Sequence, residues 1–261
     1  MENDVLRDRH AIITGGSRGI GAAVAHKLAA LGATISIFGR DRDALGATAA
    51  DVARRHDVDV RALECDVTDE LSIRRAFASA VNANGDPYIL VNNAGQADGA
   101  AFVDTTRELW DRMLAVNLTG TFLCTQQVVP AMVKAGEGRI VNIASIAGLK
   151  GASRISAYCA AKHGVVGLTR ALAMEFARTG ITVNAVCPTY VDTEMTDRNV
   201  TTIAGRLGIG ADEVREKLTR TIPMNRLITA EEVAEAVAYL CTPAARSITA
   251  HCLSVDGGEA Q

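Results

Sequence analysis

The chain alternates between short apolar runs and longer stretches in which apolar residues recur every three to four positions. Residues 11–14, 34–38, 58–64, 88–91, 139–143, 182–186 and 252–255 are apolar or β-branched runs of strand length. Between them, 21–31, 41–55, 70–82, 106–134, 156–178 and 231–241 carry a helical period with small and aliphatic side chains on one face. Strand alternating with helix predicts a parallel sheet covered on both faces. Right-handed crossovers make it a doubly wound α/β fold: one domain over residues 1–261, with seven parallel strands. The stretch 193–226 breaks the rhythm. It lies between the sixth and seventh strands, is longer than an ordinary strand–helix loop, and holds one predicted helix over 211–220. Its place at the ligand edge of such a sheet predicts a helical substrate lid.

A length of 261 residues suits a single doubly wound domain. Aromatic residues are only 4%, so the core must be aliphatic. The 27 basic and 30 acidic residues leave a net charge of −3, and no basic stripe favours nucleic acid. No apolar run approaches the roughly 18–20 residues of a membrane span. Residues 1–10 are polar and lack the apolar region of a secretion signal, so a cytoplasmic protein is expected. The six cysteines are scattered with no C-x-x-C pair, so reduced, buried thiols are expected and no metal.

The first strand runs into Thr14-Gly15-Gly16-Ser17-Arg18-Gly19-Ile20-Gly21, which opens the first helix. Gly15, Gly19 and Gly21 permit positive φ and close backbone approach. The helix start, with the loop residues Ser17, Arg18, Gly19 and Ile20, offers free N–H groups and partial positive charge to a pyrophosphate. Strand before and helix after is the context that gives a glycine pattern meaning, and it makes the domain Rossmann-like. A carboxylate ending the second strand would bind the ribose diol of NAD. Here Phe38-Gly39-Arg40 stands instead, so Arg40 and Arg18 can face the 2′-phosphate of NADP. NADP is the expected cofactor, with NAD left open. Asp41 is read as the cap of the next helix. Asp66 and Val67, after the third strand, can meet the adenine, although Asp66 can equally be a turn residue.

Tyr158 and Lys162 are spaced i, i+4 and share a helix face. A free phenol titrates near about 10, and a neighbouring ammonium favours the phenolate. Tyr158 can then pass a proton to a ketone oxygen as hydride arrives at carbon, or take it back. Ser145, at a strand end, can donate to the same oxygen. Cys159 points about 100° away from Tyr158 and has no expected role.

With these residues in place, the chain resembles the short-chain dehydrogenase/reductase family over nearly its whole length. The resemblance rests on T-G-G-S-R-G-I-G at 14–21, Asp66, Asn92-Asn93-Ala94-Gly95, Asn117 in V-N-L-T-G, Ser145, Tyr158, Lys162, and Pro188 through Thr193. It implies a Ser145–Tyr158–Lys162 triad, with Asn117 holding a water in a proton relay to Lys162. It implies that Asn92, Asn93, Ala94 and Gly95 shape the sheet and the cofactor pocket. It implies that Thr193 and the backbone near Pro188 and Val191 hold the nicotinamide amide. A homotetramer built partly on the helices over 106–134 and 156–178 is also implied. One departure stands out: the family usually has glycine after Pro188, and here Thr189 places a side chain toward the nicotinamide region.

Within the family, 187–195 and 223–240 resemble 3-oxoacyl-thioester reductases and aromatic polyketide ketoreductases. Met174 stands where carrier-dependent members often place a basic docking residue, which favours a CoA ester or free ketone. On the lid, Arg198, Arg206, Arg215 and Lys217 are interleaved with acids, and a solvated helix face explains them equally well. The expectation is an NADP-dependent reductase of a 3-oxoacyl thioester or similar ketone. Two alternatives stay open: an NAD-dependent dehydrogenase of a hydroxysteroid or aromatic secondary alcohol, and a non-catalytic dinucleotide sensor on the same fold.

Overall fold

A computed structural model describes residues 4–260; the first three residues of the polar N-terminal stretch lie outside it. The strands are β1 (His10–Thr14), β2 (Thr34–Gly39), β3 (Val60–Glu64), β4 (Ile89–Asn92), β5 (Gly138–Ile143), β6 (Ile181–Pro188) and β7 (Cys252–Val255). They form one parallel sheet in the order β3-β2-β1-β4-β5-β6-β7. The chain reverses its direction of winding between β1 and β4, and a crevice for a ligand opens there at the carboxyl ends.

The helices are α1 (Gly19–Ala30), α2 (Arg42–His56), α3 (Glu70–Asn84), α4 (Arg107–Leu114), α5 (Gly120–Ala135), α6 (Ser156–Glu175), α7 (Glu194–Leu207), α8 (Ala211–Thr221) and α9 (Ala230–Cys241). Successive strand residues point to opposite faces and feed two cores. Ile13, Ile35 and Val91 pack with α1, α2 and α9. Ile12, Phe38 and Leu90 pack with α3, α5 and α6. The core is aliphatic apart from a few rings, such as Phe38 edge-on to Phe77 at 5.0 Å. Cys65, Cys124, Cys159, Cys187 and Cys241 are buried free thiols, and Cys252 is half-buried.

Several boundaries differ from the periodicity. β3 begins at Val60 rather than residue 58, because Asp57 closes α2 in the left-handed region (φ 52°) and the next residues serve as connection. The single helix expected over 106–134 is interrupted: Ala115–Thr119 is a π turn between α4 and α5, closed by the Gly120 N–H on the Ala115 carbonyl. The stretch 193–226 holds two helices, not one. α8 matches the expected 211–220, whereas α7 is spelled with Thr, Asn and Val, which give little helical signal.

Candidate active site

The glycine loop is held from outside. Asn93 Nδ2 donates to the Thr14 and Gly15 carbonyls, both at 2.9 Å. The N–H groups of Asn93 and Ala94 both donate to Thr14 Oγ1 at 3.0 Å. Thr14 and Asn93 thus lock the ends of β1 and β4 across the crevice. Gly15 and Gly19 adopt positive φ (64° and 53°), and a Cβ on Gly21 would sit 2.1 Å from the Gly15 carbonyl oxygen. Arg18 occupies the N-cap of α1 without a side-chain capping bond, and the first turn holds no acid. The dipole end and its N–H groups are therefore free to meet an anion, which suits a dinucleotide pyrophosphate.

Gly39 ends β2 without a carboxylate, and Asp41 caps α2 by accepting from the Ala44 N–H at 3.0 Å, as expected. Arg40 is exposed and makes no ion pair among the described residues. Arg18 is less free than the sequence suggests: it donates to Glu194 of α7 at 2.8 Å and lies 3.7 Å from Asp41. Asp66 accepts from the Thr68 N–H and hydroxyl at 2.9 and 2.7 Å. Burial opposes its charge, but these bonds and Arg40 prevail and hold its carboxyl below the usual range. The turn role is therefore filled, and Val67 beside it is buried against Gly120, where a Cβ would meet the Val67 carbonyl at 2.9 Å.

Ser145 caps the short 3-10 turn after β5, its Oγ accepting from the Ala147 N–H at 3.1 Å. Its hydroxyl also faces Tyr158 and favours the ionised phenol. Lys162 is buried, donates from Nζ to the Ile143 carbonyl at 2.8 Å, and lies 5.7 Å from the Tyr158 ring centre. Gly95 stands where a Cβ would lie 2.9 Å from Asn117 Oδ1 and 3.7 Å from Lys162 Nζ, so those side chains flank one point. Asn117 lies within the π turn and is buried; its Nδ2 donates to the Gln96 and Met113 carbonyls, each at 3.0 Å.

The Lys162 ammonium alone does not draw Tyr158 toward phenolate. Burial is the larger influence and pushes its hydroxyl up to about 12, against the effect of Ser145. Burial also lowers Lys162 to about 8. A hydroxyl that keeps its proton is a donor poised for reduction.

Val191 forms an isolated bridge with Ile228, and its carbonyl accepts from Thr193 and Thr196. Thr193 in turn approaches the glycine loop, 3.2 Å from where a Gly19 Cβ would stand. Thr189 differs from expectation: its hydroxyl donates to the Glu259 carboxylate, so its side chain is tied to the chain's last residues. Asn92, expected to help shape the sheet, is buried and donates to Thr125 Oγ1 and Asn142 Oδ1, joining β4, β5 and α5. Thr14 stood in the motif with no role of its own, and Glu194 and Glu259 left no signal.

A doubly wound sheet with an uncapped glycine loop at one strand end and a Ser–Tyr–Lys cluster at another defines a dinucleotide-dependent oxidoreductase. A family model described as enoyl-(acyl carrier protein) reductase matches residues 15–259, and the chain belongs to the short-chain dehydrogenases/reductases. It is 44% identical to a ketoacyl reductase of the granaticin polyketide synthase of Streptomyces violaceoruber, over 95% of this chain and 92% of that one. It is 37% identical to the 3-oxoacyl-[acyl-carrier-protein] reductase of Aquifex aeolicus, over 97% and 98%. Among solved structures, a single-site variant of actinorhodin polyketide ketoreductase with NADPH superposes with a TM-score of 0.94 at 39% identity, covering 97% of each chain.

Proposed function

We propose that this protein is an NADP-dependent ketone reductase acting on a 3-oxoacyl thioester or a similar ketone. The observation that carries the reading is the junction of Ser145, Tyr158 and Lys162 beside the uncapped start of α1. The named activities of the ketoacyl and 3-oxoacyl reductases at 44% and 37% identity support the substrate class.

When bound, the reduced cofactor supplies hydride to the carbonyl carbon. Gly15, Ser17, Gly19, Ile20 and Gly21 receive its pyrophosphate, Arg40 and Arg18 its 2′-phosphate, and Asp66 and Val67 its adenine. Asn93, Ala94 and Gly95 form the crevice floor, and Pro188, Val191 and Thr193 face the nicotinamide amide. Tyr158 donates its proton to the ketone oxygen, and Ser145 holds that oxygen by a second hydrogen bond. The charge on Lys162 steadies the phenolate left behind, and Asn117 orders the water that returns a proton through Lys162. Gly39 and the unpaired Arg40 favour NADP over the NAD-dependent alternative, and a sensor has no need of a proton donor. Residues 193–226 act as the lid of the single domain. The cytoplasm is the proposed location and a homotetramer the proposed assembly; no helix among the described residues is long and apolar enough to cross a membrane.

The test is a panel of ketones and acyl-CoA esters with NADPH and NADH, followed by loss of reduced-nicotinamide absorbance. NADPH oxidation dependent on a 3-oxoacyl ester supports the reading. Cofactor binding without turnover on any ketone favours the sensor.

A further inference from the structure

Three walls close on the turn at 256–260: the loop after Ser145 at Lys150, the exit of β6 at Thr189, and the end of the lid at 222–224. Asp256 is buried and builds the turn, its two carboxylate oxygens accepting from the Gly258 and Ala260 N–H groups at 3.0 and 2.8 Å. Gly257 and Gly258 take positive φ (60° and 94°), which lets the chain double back. The Gly257 carbonyl accepts from the Met224 N–H at 3.2 Å, and Gly258 lies against Pro223, so the turn underlies the lid's return.

The turn delivers Glu259, whose side chain is only 12% exposed. One carboxylate oxygen accepts from the Thr189 hydroxyl. The other lies 3.3 Å from Lys150 Nζ, which also donates to the Glu259 carbonyl at 2.8 Å. A carboxylate this enclosed is costly unless both oxygens are satisfied, and here each partner comes from a different wall. Thr189 is followed by Tyr190, which lies close enough to Tyr158 to disfavour its ionisation. Burial and the charge of Glu259 both raise Tyr190.

We infer that Glu259 is a positioning residue for ketone binding, clamping Thr189 and Lys150 so that the β6 exit and the catalytic loop keep one spacing. The inference rests on the proposed reductase function. Thr189, which stands where the family usually has glycine, is the handle by which the last turn of the chain holds the substrate wall. Glu259 touches no reacting atom, and its effect falls mainly on ketone binding, because the pyrophosphate and adenosine contacts at the glycine loop, out of its reach, carry most of the cofactor's affinity.

The experiment compares wild type with Glu259→Ala, Lys150→Met, Thr189→Gly and the double variant Thr189→Gly/Glu259→Ala. For Glu259→Ala the ketone KM is expected to rise about tenfold, with kcat and the NADPH Kd within about twofold. Lys150→Met is expected to move KM the same way without disturbing the Asp256 turn. The double variant is expected to be no worse than Glu259→Ala, because one contact is removed twice. Hydrogen exchange at 188–192 and 222–225 should accelerate together in Glu259→Ala, a readout independent of turnover. An unchanged ketone KM in both Glu259→Ala and Lys150→Met overturns the inference, as does a parallel rise in ketone KM and NADPH Kd, which marks general loosening. Wild type without ketone turnover defeats the reductase reading instead, and exchange at 188–192 then decides the clamp: unchanged exchange there overturns it.

Discussion

Lys162 holds its proton less firmly than an exposed lysine because burial between β5 and α6 penalises the ammonium, while Tyr158 holds its proton more firmly for the same reason. Reduction needs both groups protonated. As pH rises, Lys162 is the first to lose its proton, near 8, and Tyr158 follows near 12. Reductive kcat/KM should therefore be level below about pH 8 and fall about tenfold per pH unit above it. Lys162→Arg keeps its charge throughout and should abolish that break in whatever activity remains. A break persisting near 8 in the variant assigns it to another group. Tyr158→Phe should lower kcat by about 10²–10⁴-fold with NADPH binding intact, measured by cofactor fluorescence. At the far end of the crevice, a Cβ on Gly39 would meet only Leu45 side-chain atoms at 3.5–3.7 Å, an ordinary contact. Gly39→Asp should thus fold normally, bind the ribose diol and shift preference from NADPH toward NADH. Because Glu194 already engages Arg18, the wild-type preference should be about tenfold, with Arg40 supplying most of it. Equal kcat/KM for both cofactors in wild type would refute the Arg40 assignment. The glycines, Tyr158 and Lys162 were legible because local spacing specifies them. The Arg18–Glu194 pair was not, because its partners are 176 residues apart and neither has a distinctive neighbourhood.

The two lid helices are weakly anchored. α7 buries only Thr196 and Val200, and α8 only Val214, whereas α9 buries seven residues. So few core contacts predict low local stability, and amides over 194–221 should exchange fastest among the helices. Protection should rise when NADPH and an alcohol product bind together, since closure excludes water from the hydride step. Equal exchange in both conditions would make 193–226 a fixed insertion. The strands were read closely from sequence because each is a short apolar run between turn residues. α7 was missed because its Thr and Asn content hides the helical period, which tertiary packing restores.

At the scale of the molecule, apolar side chains remain open on one side. Phe102 and Val103 are 78% and 90% exposed before α4, and Phe122, Val133 and Met174 are exposed on α5 and α6. An isolated chain would carry these to water, so association through them is expected. Light-scattering mass at micromolar concentration should be four times 27.4 kDa, and Phe102→Asp should lower it. A monomeric wild type would contradict the tetramer. The two-sided core and the seven parallel strands followed from the alternation of elements, whereas the strand order and the clamp at Glu259 depend on chain brought together only by folding. The π turn carries a different lesson, about insertion and deletion. It is one residue of surplus length inside a continuous helical path from Arg107 to Ala135. Loss of any one residue from 115–119 would leave an ordinary α-helix with its hydrogen bonds intact. Later side chains would keep their facing, because the surplus residue is absorbed within one wide turn, and Cys124, Val128 and Met132 would stay on the sheet. What the deletion would take away is the wide turn that holds Asn117.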